Sequence, residues 1–167
     1  MATDISPEMV SATKRRVGDQ TEAFCLDLEE GLPFEDDAFD FIVSSLSLHY
    51  LKDWHKTFKE FKRVLKKDGI FLFSVHHPFN DVNLLQDFHY HSTELIIDQW
   101  HKEGKLYDVP FYRRPLQTIL NDTLASFEIE KVVEPRPNLL FKEQAPAKYE
   151  KLLNRPAFLM IKAVQRD

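Results

Sequence analysis

Phe39-Asp40-Phe41-Ile42-Val43-Ser44-Ser45-Leu46 decides the fold together with the segments downstream of it, Asp53-Trp54, Phe58, Phe61, Leu65, Asp68-Gly69 and Ile70-Phe71-Leu72-Phe73-Ser74-Val75. Phe39 to Leu46 is apolar almost without polar interruption, the pattern of a strand covered on both faces. Asp53 caps the next helix, whose Trp54, Phe58, Phe61 and Leu65 fall at i, i+4, i+7 and i+11 and so share one face. Asp68-Gly69 ends that helix, and Ile70 to Val75 comes immediately after as a second buried strand. Strand, capped helix, glycine turn and buried strand make a βαβ unit, which implies an α/β fold with a parallel sheet.

Upstream of this unit, Ser6-Pro7-Glu8 is a helix entrance, with a capping hydroxyl, a proline at the first helical position and an early acid. It opens a helix over Pro7 to Val17. Thr21 to Leu26 is a short strand ending at Asp27, and Glu29 to Ala38 is a loop. Downstream, Glu94 to Trp100 and Lys105 to Tyr112 form a hairpin around Glu103-Gly104. Pro115 opens a helix with Leu116, Ile119, Leu120 and Leu124 on one face. Phe127 to Glu134 alternates like an edge strand, and Ala157 to Val164 is an apolar run like an interior one.

The 167 residues suit one domain, and 43% hydrophobic content with 14 Phe suffices for a core. A formal charge of -5 offers no broad attraction to phosphate backbones, which excludes nucleic acid as a partner. The basic stretch Lys59 to Lys67 is interrupted by Phe61, Val64 and Leu65, the pattern of a helix's wet face. No stretch has the length of an apolar membrane span, and Met1 to Val10 lacks the features of a signal peptide, so a cytoplasmic protein with no membrane partner is expected. The single Cys25 lies in the apolar run Phe24-Cys25-Leu26 and reads as a buried structural thiol.

Four further pieces stand in a familiar order: Asp4-Ile5-Ser6-Pro7-Glu8-Met9; Leu26-Asp27 leading to Leu32-Pro33-Phe34; Phe39 to Ser45 with Leu48-His49-Tyr50-Leu51; and Phe61-Lys62-Arg63-Val64-Leu65-Lys66-Lys67-Asp68-Gly69. In this order they resemble the type-11 group of class I S-adenosylmethionine-dependent methyltransferases, which includes quinone-biosynthesis enzymes. The resemblance implies a Rossmann-like class I methyltransferase fold, mostly parallel with an antiparallel C-terminal strand. It divides a single domain, 1–167, into a cofactor-side core over 1–75, a lid or acceptor segment over 76–112, and a C-terminal helix and strands over 113–167. It implies S-adenosylmethionine as cofactor and a small-molecule methyl acceptor.

The same resemblance assigns site residues. Asp4 stands where the family places an acid for the ribose hydroxyls, a carboxylate being suited to a vicinal diol. Asp27 matches the acid that takes the adenine amino group, with the Leu28 N–H meeting a ring nitrogen. Ser44, Ser45 and Leu46 end the strand beside which the sulfonium is held. His49, His76 and His77 lie where a general base is needed if the acceptor must lose a proton, since an imidazole titrates near neutrality; His49 reads equally as a half-buried capping residue. His76 to Tyr112, with Phe79, Phe88, Tyr90, Trp100, Tyr107, Phe111 and Tyr112, has the aromatic content of a small-molecule pocket. His76-His77 with His89 and His91 match no compact zinc spacing, so no metal is expected.

The family begins with an apolar strand and a glycine-rich turn, whereas Met1-Ala2-Thr3 here abuts Asp4, and none of Gly18, Gly31, Gly69 and Gly104 stands in a G-x-G arrangement. The first strand, the glycine loop and the first helix are therefore expected to be missing. That leaves two functional readings, a methyltransferase or a fragment of one, and a non-catalytic scaffold whose incomplete sheet is completed by a partner chain or by a second copy.

Overall fold

The computed structural model describes residues 1–82 and 89–166, and its contacts divide the chain into two compact units, Met1–Glu35 and Asp36–Asp167. Phe88 lies outside the described residues.

In the first unit, strand β1 (Ala2–Asp4) pairs in parallel with β2 (Ala23–Cys25), with Asp4 opposite Cys25. Helix α1 (Pro7–Val17) makes the crossover with the bounds its sequence predicts. Its entrance is also as expected: Ser6 Oγ accepts the Met9 N–H at 3.2 Å, satisfying one of the unpaired donors of the first turn. Gly18, at φ 59°, closes the helix in a backbone conformation that costs glycine nothing. Cys25 departs from the expectation. The strand turns only Ala23 inward, so the thiol is exposed and donates to the Ile5 carbonyl at 3.2 Å.

The second unit is built on a four-stranded sheet of order β3-β4-β8-β7. Strand β3 (Phe39–Ser45) runs parallel to β4 (Leu65–His76), and helix α2 (His55–Val64) makes the crossover between them. Strand β8 (Phe158–Val164) then pairs antiparallel with both β4 and the edge strand β7 (Glu128–Val133). This is the mixed α/β sheet that the sequence implied, with the interior and edge strands in their expected places.

One face of this sheet holds the core. Trp54, Phe58 and Phe61 from the crossover pack on Phe71 and Phe73 of β4, and Leu159, Ile161 and Ala163 of β8 continue the buried layer. The other face does not match the reading of Phe39 to Leu46 as a strand covered on both sides: Phe41 is 64% exposed, Val43 69% and Leu72 41%. A run of apolar residues cannot by itself report whether anything lies on each face.

The end of α2 also shifts. The helix stops at Val64, and Lys66 to Gly69 joins the strand. Leu65 is already extended, at φ -80° and ψ 136°, and pairs with Phe39. Strand β8 then holds the segment through Asp68 N–H to Gln165 C=O at 3.1 Å and Gln165 N–H to Gly69 C=O at 3.0 Å. Gly69 is required there, because a Cβ would lie 2.7 Å from the Lys66 carbonyl oxygen. The cap position falls on Trp54 instead of Asp53, because the helix starts one residue later than expected; Asp53 stands just outside it and accepts the His55 N–H at 2.9 Å.

A hairpin and short helices complete the second unit. A short helix α3 (Pro78–Asp81) comes directly after β4. Strands β5 (Glu94–Lys102) and β6 (Lys105–Arg113) form the expected hairpin. Its turn places Glu103 and Gly104 at φ 51° and 74°, the positive pair that matches the twist of two-residue hairpins. Helix α4 (Leu116–Leu124) buries Ile119 and Thr123 but leaves Leu124 exposed. Helices α5 (Leu139–Gln144) and α6 (Pro146–Asn154) lie between β7 and β8. No helix among the described residues is long and apolar enough to cross a membrane.

Candidate active site

Parallel strands end with their side chains converging on one sheet edge, and open α/β folds bind ligands there. In the first unit that edge carries two carboxylates. Asp4 closes β1 and accepts the Ser6 N–H at 2.9 Å through one oxygen. The Leu26 N–H donates to the Asp4 carbonyl at 3.0 Å, so Asp27 emerges beside it, and its own carboxylate accepts the Glu29 N–H at 2.9 Å. Leu28 sits inside that turn. Each of these bonds engages one carboxylate oxygen, and a carboxylate accepts through two.

In the second unit, Ser44 is buried with its hydroxyl 2.7 Å from that of Ser47, whereas Ser45 is exposed. Leu46 leaves β3 with φ 53°, and its N–H donates to the Ser74 carbonyl of β4 at 3.0 Å. This left-handed step carries the chain into the helical turn Leu48–Tyr50, which sets His49 against the end of β4.

There the three histidines take different environments. His49 is only 3% exposed. Its ring stacks on that of His76 at 4.2 Å and 18°, with the Tyr50 ring at 4.4 Å and the Phe111 ring at 5.5 Å. Burial first, then the neighbouring His76 and Arg114, pushes its pKa down to about 3, so it stays neutral. His76 meets Phe111 edge-on at 4.7 Å, and burial lowers its pKa while the Asp98 carboxylate opposes the shift. His77 has both nitrogens engaged: Nδ1 accepts the Phe79 N–H at 3.0 Å and Nε2 lies 2.8 Å from Glu134. It caps the entrance of α3.

The β5–β6 hairpin thus lays Phe111 over the stacked His49–His76 pair. Two arginines anchor it. The Arg113 guanidinium donates to the carbonyls of His89, Tyr90 and Ser92. Arg114 donates to the carbonyls of Leu51 and Lys52 and lies 4.5 Å from the Trp54 ring. Among the described residues, no group of three or more His, Cys, Asp or Glu side chains is placed to hold a metal ion.

Two features escaped the sequence. Asp81 is buried at 3% exposure and directs Oδ1 toward His76 Nδ1 at 3.8 Å; nothing in Pro78-Phe79-Asn80-Asp81 marks an acid that will be enclosed. A cleft of about 290 Å³ opens between Pro135, Arg136, Pro137, Phe141, Leu152 and Phe158. Phe158 pairs with His76 across the sheet, so the cleft lies at the same edge. Its only legible trace was the proline punctuation at 135, 137 and 146.

Comparison with known proteins agrees with this fold. A family model described as a methyltransferase domain matches residues 1–73. An uncharacterized methyltransferase of Bacillus subtilis is 35% identical over 94 residues, which are 56% of this chain and 37% of that protein. The chain therefore spans little more than a third of that relative's length. A Listeria monocytogenes structure described as an S-adenosylmethionine-dependent methyltransferase aligns over 99% of this chain and 78% of its own, at a TM-score of 0.79 and 26% identity. One from Mesorhizobium loti aligns over 98% of this chain and 78% of its own, at a TM-score of 0.71 and 27% identity. The first 73 residues thus match a methyltransferase-domain family model, and the fold is similar to that of these S-adenosylmethionine-dependent methyltransferase structures.

Proposed function

We propose that this chain binds S-adenosylmethionine and serves methyl transfer to a small-molecule acceptor. The observation that carries the reading is the pair of carboxylates on adjoining parallel strand ends, Asp4 at the end of β1 and Asp27 just after β2. The chemistry of these residues fits the cofactor: one carboxylate would hold the two ribose hydroxyls, the other the adenine amino group, and the Leu28 N–H would meet a ring nitrogen. When bound, the cofactor supplies a methyl group already activated on a sulfonium. The chain's residues then have to orient the acceptor, exclude water and take up a proton, because proximity provides most of the acceleration in such a displacement.

The histidine pair at the end of β4 suits that task. Burial holds the His49 ring neutral and lowers the pKa of His76, so the His76 ring is unprotonated, as a proton acceptor must be. His76 is the base in this reading, since His77 is engaged on both sides. Phe111 excludes water from one face of the His76 ring. The cleft beside Phe158 receives the acceptor's apolar body, and Arg136 is the one charged residue among the described residues that line it. Among candidate acceptors, apolar molecules bearing a carboxylate are therefore expected to be methylated in preference to their amides, as a radiolabelled methyl-transfer assay over matched acid and amide pairs would read.

Calorimetric titration of the full-length protein with S-adenosylhomocysteine tests cofactor binding. Asp4→Asn is expected to weaken binding about tenfold or more, since a hydrogen bond to a charged group contributes about 1.5–3 kcal/mol. The absence of any heat at high micromolar ligand would overturn the reading.

A further inference from the structure

The end of β4 holds an unassigned buried carboxyl. His76 Nδ1 and Asp81 Oδ1 are both buried without a hydrogen-bond partner among the described residues, and they face each other at 3.8 Å. Buried polar atoms left unpaired cost about 1–3 kcal/mol each. At this separation the two atoms stand just beyond hydrogen-bond distance, so a shift of about 1 Å, or one water between them, would let each satisfy the other. We propose that Asp81 is the positioning residue for His76: its carboxylate holds the proton on Nδ1 and so leaves the lone pair on Nε2 toward the methyl acceptor.

The surroundings explain why a carboxyl would serve here. The Asp81 side chain is 4% exposed and that of His76 16%, so the pair is closed at the carboxyl and opens at the imidazole. Arg113 from β6 and Asp98 from β5 act on Asp81 with opposite signs, and its neighbour Asn80 hydrogen-bonds to it. Burial, partly countered by Arg113, pushes the Asp81 carboxyl up to about 7, close to the range in which an imidazole titrates. A carboxylate that faces Nδ1 favours the tautomer carrying the proton on that nitrogen. His49, stacked on the other side of His76 and held neutral, adds no competing charge. The proton balance is simple. The acceptor's proton passes to Nε2, the imidazolium is held by the Asp81 carboxylate, and the proton then leaves to solvent from the exposed part of the ring.

This inference rests on the methyl-transfer reading but is tested apart from it. In the full-length protein labelled with nitrogen-15 histidine, long-range proton–nitrogen correlation spectra report the tautomer of each ring. His76 is expected mainly as the Nδ1–H form, and Asp81→Ala is expected to convert it to the Nε2–H form that an unconstrained histidine favours. Unchanged His76 tautomers in Asp81→Ala would overturn the positioning role. Should that variant not fold, the wild type still decides: the Asp81 carboxyl carbon and the His76 nitrogens are expected to titrate together over one pH range, and independent titrations would overturn the proposal. S-adenosylhomocysteine binding by the wild type, measured separately, decides whether the methyl-transfer reading stands.

Discussion

Replacing Phe58 with alanine is expected to lower the unfolding free energy by about 3–5 kcal/mol, the usual cost of removing a buried aromatic side chain. Phe58 has no exposed surface. Its ring lies 5.3 Å from Trp54, 6.3 Å from Phe61, 5.4 Å from Phe71, 6.1 Å from Phe73 and 5.9 Å from Phe127. The deletion therefore opens a cavity whose walls are rigid rings on a helix and on a central strand, and these cannot collapse to refill it. Domains are stable by only about 5–15 kcal/mol, so the variant would lose much of its margin. Phe79→Ala is the control: Phe79 is half exposed, and its loss should cost well under half as much. Urea denaturation of both variants checks this. A Phe58→Ala midpoint close to that of the wild type would mean that the aromatic cluster does not hold the second unit together.

The second large effect is a pair of opposed pH dependences. His49 has its pKa pushed down to about 3 by burial, below the 6.5 of an unfolded histidine. The unfolded chain therefore gains a proton below pH 6.5 that the folded chain refuses, and this contribution to stability falls as the pH drops from 6.5 toward 3. Asp81 acts in reverse. Its carboxyl is pushed up to about 7, so it contributes stability that is present below its unfolded value of 3.8 and is lost as the pH rises through about 7.

Between about pH 4 and 6.5 the two slopes cancel in the wild type, each being at most about 1.4 kcal/mol per pH unit. Single variants separate them. His49→Gln is expected to gain stability relative to the wild type on acidification, by about 2 kcal/mol between pH 6.5 and 5. Asp81→Asn is expected to gain it as the pH rises over the same window. Denaturation curves at pH 5.0, 6.0 and 7.5 would show the two differences running in opposite directions. Parallel differences would rule out this account of the buried pair.

Much of this fold is written in local pattern. Trp54, Phe58, Phe61 and Leu65 are all buried at the spacing that made them one face, because that periodicity comes from helix geometry alone. Ser6-Pro7-Glu8 and Glu103-Gly104 fix their helix entrance and turn through chemistry within a few residues. The end of α2 lacks such a local cause. Whether it falls at Val64 or Asp68 is decided by Gln165, nearly a hundred residues away, which pairs with the strand that Lys66 to Gly69 joins.

For the candidate site, the family resemblance carried by the ordered motifs named Asp4, Asp27, His49, His76 and His77, at the sheet edge where open α/β folds bind ligands. Only the tertiary structure separated His76, stacked on His49 and facing Asp81, from His77, tied to Glu134 and the Phe79 N–H. Adjacent histidines in one strand end look alike in sequence. Only the tertiary structure likewise showed Phe41 and Val43 exposed, and Cys25 at the surface. Sequence alone determined the periodic faces, most of the caps and the order of the strand-end acids. Burial, partners and proton affinity came from contacts between distant segments, because how deeply a residue is enclosed depends on what else packs against it.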